Sequence, residues 1–273
     1  LDRAGLLGAV WDSNPEMQAQ FADNADVALA PPPDLPDGIT RILFAVPGTT
    51  EIAECLTGAD GLLEGMEKGG IILDMTTSDP GASGEMAMAA GASGIDYLDC
   101  GMTGGAAGAD AGSMTLMVGG KAETVERCAD IFDAVAGQVF HVGPTGAGHT
   151  VKLIHNMVLH TMFMANVEGV RLAEKLGIDP KTLIEVFNAG NARSFVSEVR
   201  FPKNILSGTW DGRSKVANLA KDLNLATGMS DREGAPTPFG DMTSNILNRA
   251  LDAGMEDTDF SRLYEAFEGI AGA

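Results

Sequence analysis

Short apolar runs alternate with longer mixed stretches through the first half of the chain. Residues 6–12 (Leu-Leu-Gly-Ala-Val-Trp-Asp) read as a buried strand ending in an acid, and Ser13-Asn14-Pro15-Glu16 then suits a turn and a helix start. Residues 41–47 form a second apolar run closed by Pro47, and a helical pattern covers 50–66. A third run at 69–75 leads into Thr76-Thr77-Ser78-Asp79-Pro80. Residues 82–93 are small and alanine-rich, and 95–100 read as a short strand. After a glycine-rich stretch at 101–112, residues 115–118 return as a strand, a helix covers about 122–135, and 139–142 close the sheet. Strands alternating with helices of this length predict an α/β domain with a parallel, doubly wound sheet.

From Gly143-Pro144-Thr145-Gly146 onward the patterns are helical, at 148–176, 180–188, 194–206, 215–232 and 239–252. A boundary near 145 follows, with an α/β domain at 1–145 and an all-helical domain at 146–273. The proline-rich residues 31–38 read as a stiff polar connection.

Doubly wound sheets bind ligands beyond the carboxyl ends of their strands, where Asp12, Pro47 and Thr77 fall. Asp12 suits two roles: gripping the ribose hydroxyls of NAD, or capping the helix that follows. Thr103-Gly104-Gly105 offers consecutive N–H groups and a hydroxyl for an anion, or is a flexible loop. In residues 146–156 two glycines open a long helical pattern, and Lys152 and Asn156 point the same way one turn apart. His149 and His160 lie near the same stripe, and Val151, Leu153, Ile154, Met157 and Val158 fill the rest of the cylinder. Such a lysine either snorkels or pairs at the surface, or serves a site.

Composition narrows the classes. With 273 residues, 45% of them hydrophobic, the chain can build one large core or two ordinary ones. A net charge of -20 opposes binding to nucleic acid and to anionic membranes. Cys55, Cys100 and Cys128 are odd in number and scattered, which fits free thiols in a reducing cytoplasm. Apolar runs stop short of membrane-spanning length and no signal peptide is visible, so a soluble, cytoplasmic protein is expected. His149, His155 and His160 lack a carboxylate at ligand spacing, and no metal is expected.

Several separated stretches resemble the β-hydroxyacid dehydrogenase family, the group around 3-hydroxyisobutyrate dehydrogenase, tartronate semialdehyde reductase and, more distantly, 6-phosphogluconate dehydrogenase. They are Leu73-Asp74-Met75-Thr76-Thr77, Asp99-Cys100-Gly101-Met102-Thr103-Gly104-Gly105, Gly146-x-Gly148-x-x-x-Lys152-x-x-x-Asn156, Lys221-Asp222 and Asp259-Phe260-Ser261, in the family's order. The resemblance implies a Rossmann-type dinucleotide-binding domain, a helical substrate and dimerisation domain, NAD as cofactor, a small hydroxyacid substrate, and a homodimer or homotetramer. It implies that Lys152 is the general acid/base, that Asn156 and His155 assist the substrate, and that Thr103, Gly104 and Gly105 hold its carboxylate. Thr77 and Lys221 would border the nicotinamide, Val46 and Pro47 the adenosine half. Asp12 favours NAD over NADP, because a carboxylate accepts from a free 2′-hydroxyl and repels a 2′-phosphate.

The sequence departs from the family in three places. The family opens with a strand and G-x-G-x-x-G, absent here, so the expectation is that one strand–loop–helix unit is missing. Thr103 stands for the usual serine. Leu159 and His160 stand where the sugar-acid branch has Glu-Tyr, which favours a smaller, unphosphorylated acid. A catalytically silent or cofactor-deficient relative, a sugar-acid branch member and an imine reductase are the alternatives; Lys152 and the glycine stretch favour the dehydrogenase.

Overall fold

A computed structural model describes the chain except residues 32, 33, 35–37, 59, 60 and 273, so most of the connection expected at 31–38 lies outside the described residues. The chain divides into two compact units, Leu1–Lys152 and Leu153–Ala273.

After a 3-10 turn at Asp2–Ala4, the first unit has two short parallel strands, β1 (Ala9–Val10) and β2 (Ala28–Leu29), on either side of α1 (Pro15–Ala19). Helix α1 starts where the sequence places it: Pro15 holds its first turn and the Asn14 side chain accepts from the Glu16 N–H. A separate five-stranded sheet runs in sequence order: β3 (Arg41–Phe44), β4 (Ile71–Asp74), β5 (Asp96–Thr103), β6 (Met114–Gly119) and β7 (Ala136–Gly143). All pairs are parallel except β5 with β6, which is antiparallel. The exception follows from a short connection, α5 (Gly105–Ala111), which reverses the chain between Gly104 and Gly112, both at positive φ.

The other connections are crossover helices. Helices α2 (Thr49–Thr57) and α3 (Leu62–Gly65) share the span read as one helix at 50–66. Helix α4 (Pro80–Ala92) is capped by Asp79, and α6 (Ala122–Glu126) and α7 (Ala129–Val135) join β6 to β7. The alternation of β4 explains the layering. Ile71 and Leu73 pack with Leu98, Leu116, Ile131 and Phe132, whereas Ile72 packs with Ile52, Leu56, Leu62 and Ala90. Successive side chains point to opposite faces, so a strand buried on both faces needs helices on both sides. Complete burial of Leu73 and Ile72 stabilises the layer by about 1.5–3 kcal/mol each.

Helix α8 (Ala147–Lys175) is the longest element and carries the division between the units. The second unit continues with α9 (Pro180–Ala189), a π-helix at Val196–Ile205, α10 (Val216–Glu233), α11 (Pro238–Asp252) and, after a 3-10 turn at Phe260–Arg262, α12 (Leu263–Ile270). Helix α9 is capped by Asp179 and begins at Pro180; α10 ends on Gly234 at φ 65°. Pro202 lies within the π-helix and has no N–H for a regular ladder. Phe163, Val167 and Val170 of α8 pack with Phe201, Leu223, Leu247, Phe260 and Leu263 in one core. Among the described residues no helix is long and apolar enough to cross a membrane.

Candidate active site

In the first unit, the carboxyl ends of β3, β4 and β5 gather several of the residues singled out by sequence. The parallel register pairs Phe44 with Asp74, so the chain leaves both strands side by side. The half-buried Val46 donates its N–H to the Thr76 hydroxyl at 3.3 Å; exposed Pro47 and half-buried Thr77 follow on their strands. Thr76 in turn donates its N–H to Asp74 Oδ1 at 2.9 Å, and the Tyr97 hydroxyl donates to Asp74 Oδ2 at 2.6 Å. These bonds satisfy a buried carboxylate and fix the turn after β4. Burial, and then the charge of Asp74, push the Tyr97 hydroxyl far above its ordinary pKa, so it stays a donor.

Strand β5 extends beyond the expected short run to Thr103, and the glycine stretch forms a strand end and a helix start. Gly104 at φ 127° and Gly105 at φ 62° adopt a backbone that favours glycine, with both residues exposed. Two residues before Thr103, Gly101 is where β5 meets α8. A Cβ there would stand 2.5 Å from Lys152 Cβ and 2.8 Å from the Gly148 carbonyl oxygen, so only glycine lets the lysine's helix approach this strand. Lys152 is 8% exposed.

The start of α8 is held by a residue to which sequence reasoning gave no role. Asp99, fully buried on β5, accepts from the Gly146 N–H at 2.7 Å and the His149 N–H at 2.9 Å. One carboxylate thus satisfies two of the orphan donors at the helix N-terminus, where negative charge is favoured. Burial pushes the Asp99 carboxyl above the usual range, against the opposing pull of His149 and of these two N–H groups. His149 is fully buried and structural: its Nε2 donates to the Asp74 carbonyl at 3.2 Å and its Nδ1 meets the Ser83 hydroxyl at 2.7 Å. A carbonyl only accepts, which fixes the proton on Nε2. An acid inside an apolar strand signals a buried partner, but not which one.

In the second unit, Asn156 donates through Nδ2 to Asp222 Oδ2 at 2.6 Å, and its Oδ1 lies 3.0 Å from His155 Nδ1. Asp222 Oδ1 stands 3.6 Å from Lys221 Nζ. The adjacent His155 and Asn156 on α8 therefore join the adjacent Lys221 and Asp222 on α10 in one polar chain, with Asn156 and Asp222 both buried. Exposed Arg193 pairs with Glu198 at 3.7 Å.

In the first unit, Asp12 follows β1 of the two-stranded sheet. Its Oδ1 accepts from the Asn14 N–H at 2.7 Å, and among the described residues Oδ2 has no hydrogen bond. A half-buried carboxylate with one oxygen fixed and one available suits a ribose diol, and the Val46–Pro47 turn offers an apolar wall. The donor set therefore fits a dinucleotide. Among the described residues no group of three or more His, Cys, Asp or Glu could hold a metal ion.

Known proteins place this geometry in a family. Residues 1–143 match the NAD binding domain of 6-phosphogluconate dehydrogenase, and residues 146–267 match the family described as NAD-binding of NADP-dependent 3-hydroxyisobutyrate dehydrogenase. The 2-(hydroxymethyl)glutarate dehydrogenase of Eubacterium barkeri is 30% identical over 85% of this chain and 77% of its own length. The L-threonate dehydrogenase of Cupriavidus necator is 30% identical over 98% of this chain and 90% of its own. A crystal structure of 3-hydroxyisobutyrate dehydrogenase from Salmonella typhimurium superposes with a TM-score of 0.86 at 28% identity, covering 97% of this chain and 93% of that one. The chain belongs to the β-hydroxyacid dehydrogenase family of nicotinamide-dependent oxidoreductases.

Proposed function

We propose that this protein oxidises a small 3-hydroxy acid, or reduces the matching semialdehyde, with NAD(H), using Lys152 as general acid/base. In this reading residues 1–145 hold the dinucleotide and residues 146–273 form the substrate and dimerisation domain. The observation that carries it is the packing of buried Lys152 against Gly101, on the strand that ends in Thr103-Gly104-Gly105. The N–H groups of Gly104 and Gly105 and the Thr103 hydroxyl hold the substrate carboxylate, with donors fixed in advance by backbone conformation. A carboxylate anchored there leaves little orientation entropy to lose at the reacting carbon. Lys152 Nζ takes the hydroxyl proton during oxidation and returns it during reduction. Asn156, one helical turn on, orients the substrate; its own amide is oriented by Asp222 and His155.

NAD, when bound, supplies the hydride acceptor. Asp12 holds its ribose hydroxyls and disfavours a 2′-phosphate. Val46 and Pro47 flank the adenosine half, and Thr77 and Lys221 border the nicotinamide ring. The partly exposed Ile154 and Val158, one turn apart on α8, support a homodimer or homotetramer, which light scattering tests. The free thiols of Cys55, Cys100 and Cys128 support a cytoplasmic protein.

The test is a panel of small 3-hydroxy acids and semialdehydes assayed with NAD(H) and NADP(H). Turnover with a hydroxyacid and a preference for NAD is expected. Preference for NADP removes the role of Asp12, and reduction of cyclic imines without any hydroxyacid turnover removes the proposed substrate class.

A further inference from the structure

One imidazole bonds to residues on either side of the turn that follows β4. His149 is fully buried and lies one helical turn before Lys152 on α8. Its Nε2–H donates at 3.2 Å to the carbonyl of Asp74, the last residue of β4. Its Nδ1 accepts at 2.7 Å from the hydroxyl of Ser83, a buried residue of α4. Thr76, Thr77 and the Asp79 cap lie between these two partners in sequence, so the ring closes the base of the turn that carries Thr77.

The backbone of the same residue is held from another strand. Asp99 of β5 accepts from the His149 N–H at 2.9 Å. A Cβ at Gly148 would overlap the backbone carbonyls of Asp99 and Met117, so the first turn of α8 lies directly on β5 and β6. At His149 the lysine helix is therefore fastened to β4, β5 and α4 together.

The two side-chain bonds differ in what they control. Helix α4 keeps its start without Ser83, because Asp79 Oδ1 accepts from the Gly81 N–H at 2.8 Å and the Ala82 N–H at 3.4 Å. Asp74 instead passes its position on: its Oδ1 holds the Thr76 N–H at 2.9 Å, and the Thr76 hydroxyl holds the Val46 N–H at 3.3 Å. A shift of the Asp74 carbonyl therefore carries the Thr76–Thr77 turn with it. Sealed from solvent, His149 cannot itself meet a substrate. Hydride and proton leave from one carbon–oxygen unit, so nicotinamide and lysine must hold their separation to within about 1 Å.

Resting on the hydroxyacid reading above, we infer that His149 is a positioning residue for the reaction. Through the Asp74 carbonyl it keeps the turn assigned to the nicotinamide in register with the helix that carries Lys152.

The test divides the two bonds. His149→Gln sets an amide N–H where Nε2 stood and keeps a donor for Asp74, whereas His149→Asn sets an amide oxygen where Nδ1 stood and keeps only the Ser83 bond. His149→Gln should keep most of the wild-type kcat. His149→Asn should lower kcat at least about tenfold, part of the loss that a misplacement of about 1 Å brings, with KM for the acid little changed. Both variants should unfold at a lower temperature than wild type, since each leaves one buried group unmatched. In a Lys152→Ala background, adding His149→Asn should cost no further turnover. Equal kcat in the two variants, or an undiminished further loss in that background, overturns the inference. Wild type gives a second measurement that needs no variant to fold: the His149 Nε2–H resonance in 15N NMR should shift when NADH binds, and one that ignores NADH also overturns it. Failure of the hydroxyacid reading shows separately, as wild-type turnover in Lys152→Ala alone or as absent turnover with every acid.

Discussion

Gly101→Ala probes the link between fold and chemistry with a single methyl group. Its Cβ would stand 2.5 Å from Lys152 Cβ, 2.8 Å from the Gly148 carbonyl oxygen and 3.3 Å from Lys152 Cγ. The first two atoms are fixed to the helix backbone and cannot rotate away. Ordinary contact needs about 3.5–4.0 Å, so β5 and α8 must separate by about 1 Å. Overpacking of this kind costs about 1–3 kcal/mol, read as a lower urea midpoint at unchanged slope. In the proposed function, the same displacement moves Lys152 away from the strand end assigned to the substrate carboxylate. A misplacement of about 1 Å lowers turnover on the order of 100-fold. Gly84→Ala is the control: it lies inside α4, where a Cβ meets nothing within 4 Å, and should stabilise by about 0.5–1 kcal/mol without touching turnover. Wild-type stability and turnover in Gly101→Ala would refute the packing argument.

The Asp99→Asn variant keeps the shape of the cap but sets an amide N–H against one of two buried N–H groups, and urea unfolding should show a loss of about 1–3 kcal/mol. The folded Asp99 pKa is raised by burial, so its contribution to stability falls as pH rises from the ordinary carboxylate value through the raised one. The gap between wild type and Asp99→Asn should therefore narrow across that window; a constant gap contradicts it. Asp96 has the opposite sign: a hydrogen bond from Lys121 lowers its pKa, so its contribution is present above the ordinary carboxylate value and is lost as pH falls through the lowered one. Acid unfolding curves should show a shallower decline in Asp96→Asn, and an unchanged slope speaks against this. Asp222→Asn weakens the charge-assisted bond from Asn156 and should cost about 1.5–3 kcal/mol while raising the substrate KM; a variant with wild-type stability and KM leaves Asn156 positioned by something else.

Much of the first unit was legible from strand alternation. Residues 69–75 read as a buried strand because every position is apolar up to Asp74, and burial on both faces follows from helices on both sides. Asn14-Pro15 announced its helix through capping chemistry. The antiparallel β5–β6 pair was not legible, since the glycine stretch has too few side chains to show whether it continues as strand, helix or loop. Nor could spacing show which donors Asp99 would meet, because they lie 47 and 50 residues away. His149 illustrates the limit: it shares a stripe with Lys152, yet neighbouring strand and helix groups bind it into the scaffold. Lys221 and Asn156 carried family motifs in separate stretches, and Asp222 is what ties them into one chain.

Lys152→Ala, measured for NADH affinity by fluorescence titration and for turnover with the best hydroxyacid, tests the central claim most directly. A lysine that only moves the substrate proton should leave NADH affinity near wild type while turnover falls at least about 100-fold. Turnover that survives the substitution, or affinity and turnover that fall together, would contradict the assignment of Lys152 as the acid/base.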